Sequence, residues 1–208
     1  MRRLGKLEAT LRLFWRWLQL KLRKESLIEL KDVLLDATCI EVVLFVRVDD
    51  YTQERFSNCK FGRKVTQDRW FYGRKLHLLV HPNSTLIRFR LTSGNIHDSM
   101  VFSKINKPTI KSITMDSAYS GLRGLKGQKL FVTKPFGVGI RQRFYTGKRT
   151  AVERVNNALK KLLLEDSTVK DAQSLNSHIL SVLTCLLAVQ YVNLKTGSRP
   201  LSYKAFLT

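Results

Sequence analysis

Three acidic residues stand where a carboxylate can do chemistry: Asp36, Asp116 and Glu153. Each aspartate closes a run of strand-forming residues, Leu34-Leu35-Asp36 and Ile113-Thr114-Met115-Asp116, and each is followed by small residues. Neighbouring strands of a mixed sheet can bring two such side chains together across a long stretch of chain. Two carboxylates at close range repel unless a cation lies between them. An all-oxygen pair suits magnesium or manganese, hard ions that keep part of their water shell and take few protein ligands. Taken singly, either aspartate also fits an ordinary strand-end or turn residue.

Glu153 has companions. In a helix beginning near Arg149, the side chains of Arg149, Glu153, Asn156 and Lys160 fall on one face, with Val152, Val155, Leu159, Leu162 and Leu163 on the other. A solvated polar face with internal ion pairs has the same spacing, so spacing alone leaves both readings open. Just upstream, Arg141, Arg143 and Lys148 interleave with Phe144 and Tyr145 in a stretch from Pro135 to Lys148 that reads as a glycine-rich basic loop. Charge and stacking there suit a nucleic-acid strand, and a merely solvated loop is the alternative. His77, His81 and His97 lack a cysteine pair or an H-E-x-x-H frame, so packing or capping is expected of them rather than zinc binding.

The elements that must position these residues follow from periodicity. Val33 to Leu35 and Ile40 to Val48 read as extended, Asp49 to Asp68 as a loop, and Trp70 to Val80 with Thr85 to Leu91 as an antiparallel hairpin across His81-Pro82-Asn83-Ser84. A short helical stretch capped by Asn95 or Asp98 comes next. A strand ending at Asp116, a helix over Ser117 to Lys126, a strand at Lys129 to Thr133 and helices over Arg149 to Glu165 and Ala172 to Leu194 complete the order. That order predicts an α/β fold, a ribonuclease H-like mixed β-sheet flanked by α-helices. Ahead of it, Leu4, Leu7, Leu11, Phe14, Leu18 and Leu22 alternate with arginine and lysine as a basic amphipathic N-terminal helix. The chain thus divides into a basic amphipathic helical segment at 1–31, a ribonuclease H-like domain at 32–195 and a C-terminal tail at 196–208.

Lysine and arginine number 37 against 16 acidic residues, a net charge of +21 over 208 residues. Such a surplus attracts a polyanion, nucleic acid before anionic lipid. The three cysteines, Cys39, Cys59 and Cys185, form neither a disulfide framework nor a zinc ribbon, which points to a reducing, cytoplasmic setting. The apolar run from Ile179 to Leu194 is interrupted by polar residues and reads as a core helix rather than a membrane span.

Five ordered blocks then carry a likeness. Leu35-Asp36-Ala37-Thr38, the stretch from Trp70 to His77, the stretch from Leu91 to Asp98, Met115-Asp116-Ser117-Ala118-Tyr119, and the stretch from Arg149 to Asn156 together resemble the DDE transposases of prokaryotic insertion sequences. The resemblance spans about Val33 to Leu194. It implies that Asp36, Asp116 and Glu153 are the metal-holding catalytic triad, with Mg2+ (or Mn2+) as cofactor. It also matches that family's R-x(3)-E-x(6)-K signature at Arg149, Glu153 and Lys160, while Tyr145 stands out of register with the family's tyrosine. The implied partners are double-stranded DNA, both element ends and target, and a second copy of the chain when DNA is bound; no membrane is implied. The implied location is the cytoplasm, at the nucleoid. A DNA-binding remnant that has lost the chemistry is the alternative.

Overall fold

The computed structural model describes residues 2–43, 48–64, 67–119, 121–133, 140–162 and 169–202, with side chains described throughout these except at 2–5, 43, 133 and 140–149. At its centre is strand β1 (Asp32–Val43), where the two extended runs on either side of Asp36 join into one strand. Asp36 therefore lies inside a strand rather than at its end. The reason is its partner: β3 (Arg69–Val80) pairs antiparallel with β1 from Leu34↔Val80 to Val43↔Tyr72 and supplies hydrogen bonds well beyond the aspartate.

The outer edge of β3 is shared. Strand β4 (Leu86–Ser93) pairs with Arg74 to Val80, completing the expected hairpin, and β2 (Lys60–Lys64) pairs with Arg69 to Gly73. On the other side of β1, β5 (Ser112–Asp116) and then β6 (Lys129–Thr133) run parallel to it. Antiparallel β4, β3 and β1 followed by parallel β5 and β6, with helices against the sheet, make this a ribonuclease H-like fold.

Three local expectations are corrected. The segment from Asp49 to Asp68 is not simply a loop: it holds helix α2 (Asp50–Arg55), capped by the Asp49 carboxylate accepting from Thr52 N at 2.7 Å, and strand β2. Its polar composition concealed β2, an edge strand that buries little more than Gly62. The expected helix from Ser117 is a single 3-10 turn, Ser117–Tyr119; the chain then turns through Gly121 and Gly127 at φ of 78° and 82°, a conformation that favours glycine. The stretch containing Arg141, Arg143 and Lys148 is not a loop either, because helix α4 (Ile140–Lys161) begins ahead of them. Gly147 does not break it, since glycine inside a helix costs only about 1 kcal/mol relative to alanine.

Packing follows the apolar faces. Helix α4 buries Val152, Val155 and Leu159. Helix α5 (Ala172–Lys195) starts with a capping box between Asp171 and Ser174 and buries Leu175, Ile179, Leu183, Leu186 and Leu187. By length and composition α5 could cross a bilayer; here those apolar residues belong to the core. Helix α1 (Arg2–Lys24) buries Leu18 and Leu22 and sets Trp15 edge-on to Phe89 of β4 at 5.0 Å. Two glutamines tie the helices to the start of β4: Gln19 Nε2 donates to Leu86 O at 3.1 Å, and Gln190 accepts from Leu86 N at 2.8 Å and donates to Ser84 O at 2.9 Å. Between β4 and β5 comes a short connection, a 3-10 turn at Asp98–Val101 leading into α3 (Phe102–Ile105). Its cap is His97, not Asn95 or Asp98.

Candidate functional site

The parallel ladder between β1 and β5 has a constant offset: Asp32 faces Ser112, Val33 faces Ile113, Leu34 faces Thr114 and Leu35 faces Met115. One step further, at the same offset of 80 positions, Asp36 comes level with Asp116. Adjacent strands lie about 4.8 Å apart, so the two carboxylates emerge from neighbouring backbones at one level. Both are half-buried. Asp116 Oδ1 accepts the backbone N–H of Ala118 at 2.8 Å, which shapes the 3-10 turn after β5.

Helix α4 lies against this pair. Asn156 Nδ2 donates to Asp36 Oδ2 at 3.3 Å, and the other amide atom, Asn156 Oδ1, is buried with no hydrogen-bond partner. Glu153 is one turn before Asn156 on the exposed side of α4, and Lys160 one turn after it. Val152, Val155 and Leu159 point into the core, so the polar and apolar faces divide as the spacing predicts. The backbone of α4 sets Arg149 one turn ahead of Glu153; the side chains of Arg149, Arg141, Arg143 and Lys148 lie outside the described residues.

Asp116 and Lys160 open onto a cleft of about 590 Å³. Its walls include Thr38 and Cys39 of β1, Arg63 and Lys64 of β2, and Lys75 and Asp98. Bare backbone forms part of the floor: a Cβ on Gly94 would sit 2.5 Å from Lys60 O, so only glycine lets β2 approach there. Lys75 Nζ donates to Asp98 Oδ1 at 3.0 Å and to Ile96 O at 3.1 Å, both partners being mostly buried.

Beside the aspartates, His77 is fully buried, its Nδ1 3.3 Å from the Tyr119 hydroxyl and its Nε2 2.9 Å from Thr92 Oγ1. Burial pushes the His77 imidazole down to about 4, with Asp98 opposing that shift and Lys75 and Arg90 adding to it. The Tyr119 phenol is held far above its ordinary range, by burial first and then by the carboxylates of Asp98, Asp36 and Asp116. Local hydrogen bonds account for His81 and His97 too: His81 Nδ1 accepts from Asn83 N at 3.3 Å, and His97 Nδ1 from Ser99 N at 3.3 Å.

The structure therefore brings Asp36 and Asp116 together and sets Glu153 on the adjoining helix. Among the described residues, no three His, Cys, Asp or Glu side chains converge as a ready metal-holding group. The donor chemistry nevertheless fits a hard divalent cation: two level carboxylates, with an orphaned amide oxygen beside them able to accept from a hydrated ion. Residue types alone assigned no role to Asn156, to the Lys75–Asp98 pair or to the β2 wall. Lys75 and Asp98 do fall within the sequence blocks from Trp70 to His77 and Leu91 to Asp98, and that is the signal which could have found them.

The family model described as Transposase DDE domain matches residues 28–171, more than half of the chain and the span from just before β1 to the cap of α5. No curated protein and no solved structure matches.

Proposed function

Since the chain belongs to the transposase DDE family, we propose that it is a DNA transposase that cuts and joins strands at a site built on Asp36, Asp116 and Glu153. The observation that carries this reading is the β1–β5 register that brings Asp36 level with Asp116. Asp36 and Asp116, with Glu153 from α4, would hold Mg2+ (or Mn2+). Bound there, the cation would supply charge stabilisation for an in-line displacement at phosphorus and lower the pKa of the attacking hydroxyl.

The chain's own residues have the remaining tasks. Asn156 donates to the Asp36 carboxylate and orients it. Asp116 is steadied by the Ala118 N–H, and the Lys75–Asp98 pair braces the cleft wall. Lys160 in the cleft, with Arg149 on the same helix face, binds phosphates flanking the scissile bond by charge-assisted contacts. Arg141, Arg143 and Lys148, in the first half of α4, would add further phosphate contacts. Pairing two DNA ends calls for two copies of the chain on DNA, and the nucleoid is where such a protein would act.

The test is a gel assay with manganese and duplexes carrying the ends of the protein's own element. The expected result is nicking or strand joining by the parent. Asp116→Asn is expected to lower the rate at least ~10³-fold, as loss of a core electrostatic group does, while DNA affinity is kept. A parent that never nicks, together with an Asp116→Asn variant that binds identically, would establish the DNA-binding remnant instead.

A further inference from the structure

A second cleft, of about 480 Å³, lies where α1, β3, β4 and the start of α5 meet. Five arginines line it: Arg12 and Arg16, one turn apart on α1, Arg74 on β3, and Arg88 and Arg90 on β4. Its lining contains no acidic residue and shares no residue with the carboxylate cleft. Among the described residues, Glu8 is the one acid that pairs with any of the five, bonding Arg12 at 2.7 Å on the exposed flank of α1.

So dense a set of like charges is unfavourable unless an anion shares the site. Two features point to such a ligand. Arg74 donates through Nη1 to Asn176 Oδ1, yet its buried Nε has no partner. The Arg88 guanidinium donates only a long bond, 3.4 Å, to Ile105 O and is held below its ordinary range by burial and then by Arg90 and Arg23.

We propose that this arginine cleft is a phosphodiester-binding site that grips the backbone of double-stranded DNA at a place separate from the carboxylates. The guanidinium fork matches phosphate oxygens in a two-point contact, which explains arginine here in place of lysine. The two aromatic rings of the lining, Trp15 and Phe89, are packed edge-on against each other and are not presented for base stacking. The site therefore holds backbone without reading sequence. Arg74 pairs with Ile40, four residues along β1 from Asp36, a separation of about 13 Å or roughly four base pairs of duplex. A duplex held here could be anchored by one element of the fold while another part of it meets the reacting groups.

The inference rests on the chain's acting on DNA, and its test is kept apart from the chemistry. A labelled 30-base-pair duplex of arbitrary sequence is titrated in EDTA over a sodium chloride series, for the parent and for an Arg16→Gln, Arg90→Gln variant. Both side chains are exposed, so the fold should tolerate the change. The expected result is that the slope of log Kobs against log salt becomes shallower by about 1.8, two phosphate contacts at ~0.9 each. A control that removes the same charge elsewhere, Lys104→Gln with Lys126→Gln, both exposed, should leave the slope unchanged. An unchanged slope in the arginine variant, or an equal loss in the control, overturns the site. Should the glutamine variant not fold, Arg16→Lys with Arg90→Lys keeps the charges and is expected to lose several-fold in affinity through the missing two-point contacts. Equal affinity of that variant overturns the proposal. Failure of the transposase reading would show separately, as absent manganese-dependent nicking with this slope intact.

Discussion

At the scale of single residues, burial rather than residue type sets the behaviour of the groups around the aspartates. His77 has an ordinary histidine sequence context, yet enclosed between Tyr119 and Thr92 it is held neutral, down to about 4. Its folded pKa lies below the unfolded value of about 6.5. The unfolded chain therefore binds more protons between these limits. The stability contribution is fully present above pH ~6.5 and is lost as pH falls towards 4, by about 3 kcal/mol in all. Thermal melts of the parent should accordingly show a steep fall in melting temperature from pH 6.5 to 4.5. A His77→Gln variant, with no imidazole to protonate, should show a shallower one, and parallel curves for the two proteins would refute a buried neutral His77.

At the scale of elements, the strands are positioned as much by helix side chains as by one another. At the turn into β4, Gln190 of α5 accepts from Leu86 N and donates to Ser84 O. Gln190 is fully buried, so Gln190→Leu leaves an unpartnered donor and acceptor in the core. The expected cost is about 2–4 kcal/mol, from two orphaned groups at ~1–3 kcal/mol each with partial relaxation. Chemical denaturation with a two-state fit measures it, and a loss below about 1 kcal/mol would mean that water replaces the amide. Helix α4 shows the complementary case. Its division into a buried Val152, Val155 and Leu159 face and an exposed Glu153 and Lys160 face is visible from spacing, because a helix repeats over neighbours close in sequence.

At the scale of the whole molecule, the dominant quantity is the net charge of +21. Charge of one sign opposes compaction and draws polyanions. Added salt screens the repulsion, since the Debye length falls from about 10 Å at 0.1 M to 3 Å at 1 M. Raising sodium chloride from 50 to 500 mM should therefore raise the melting temperature, by about 2–4 °C for each kcal/mol of relieved repulsion, while weakening DNA binding. Differential scanning fluorimetry follows the first effect. A falling melting temperature would mean that local ion pairs such as Lys75–Asp98 outweigh the global repulsion.

Residue order alone carried the mixed sheet with flanking helices, the β3–β4 hairpin, the split faces of α4, the basic character of the chain and the identity of the three candidate acids. Each of these is a short-range pattern or a sum over residues, and needs no knowledge of what packs against what. Tertiary structure decided what depends on distant partners. That Asp36 comes level with Asp116, one step beyond the Leu35↔Met115 pair, is a matter of strand register, which hydrogen bonding between β1 and β5 sets. The polar segment Lys60–Lys64 becomes a strand only because β3 outruns β4 and leaves an edge open. The five arginines of the second cleft are scattered from Arg12 to Arg90 and form a single site only because α1 crosses β4 through the Trp15–Phe89 contact. No local periodicity encodes such a meeting, because the burial that drives it is shared between elements that are remote in the chain.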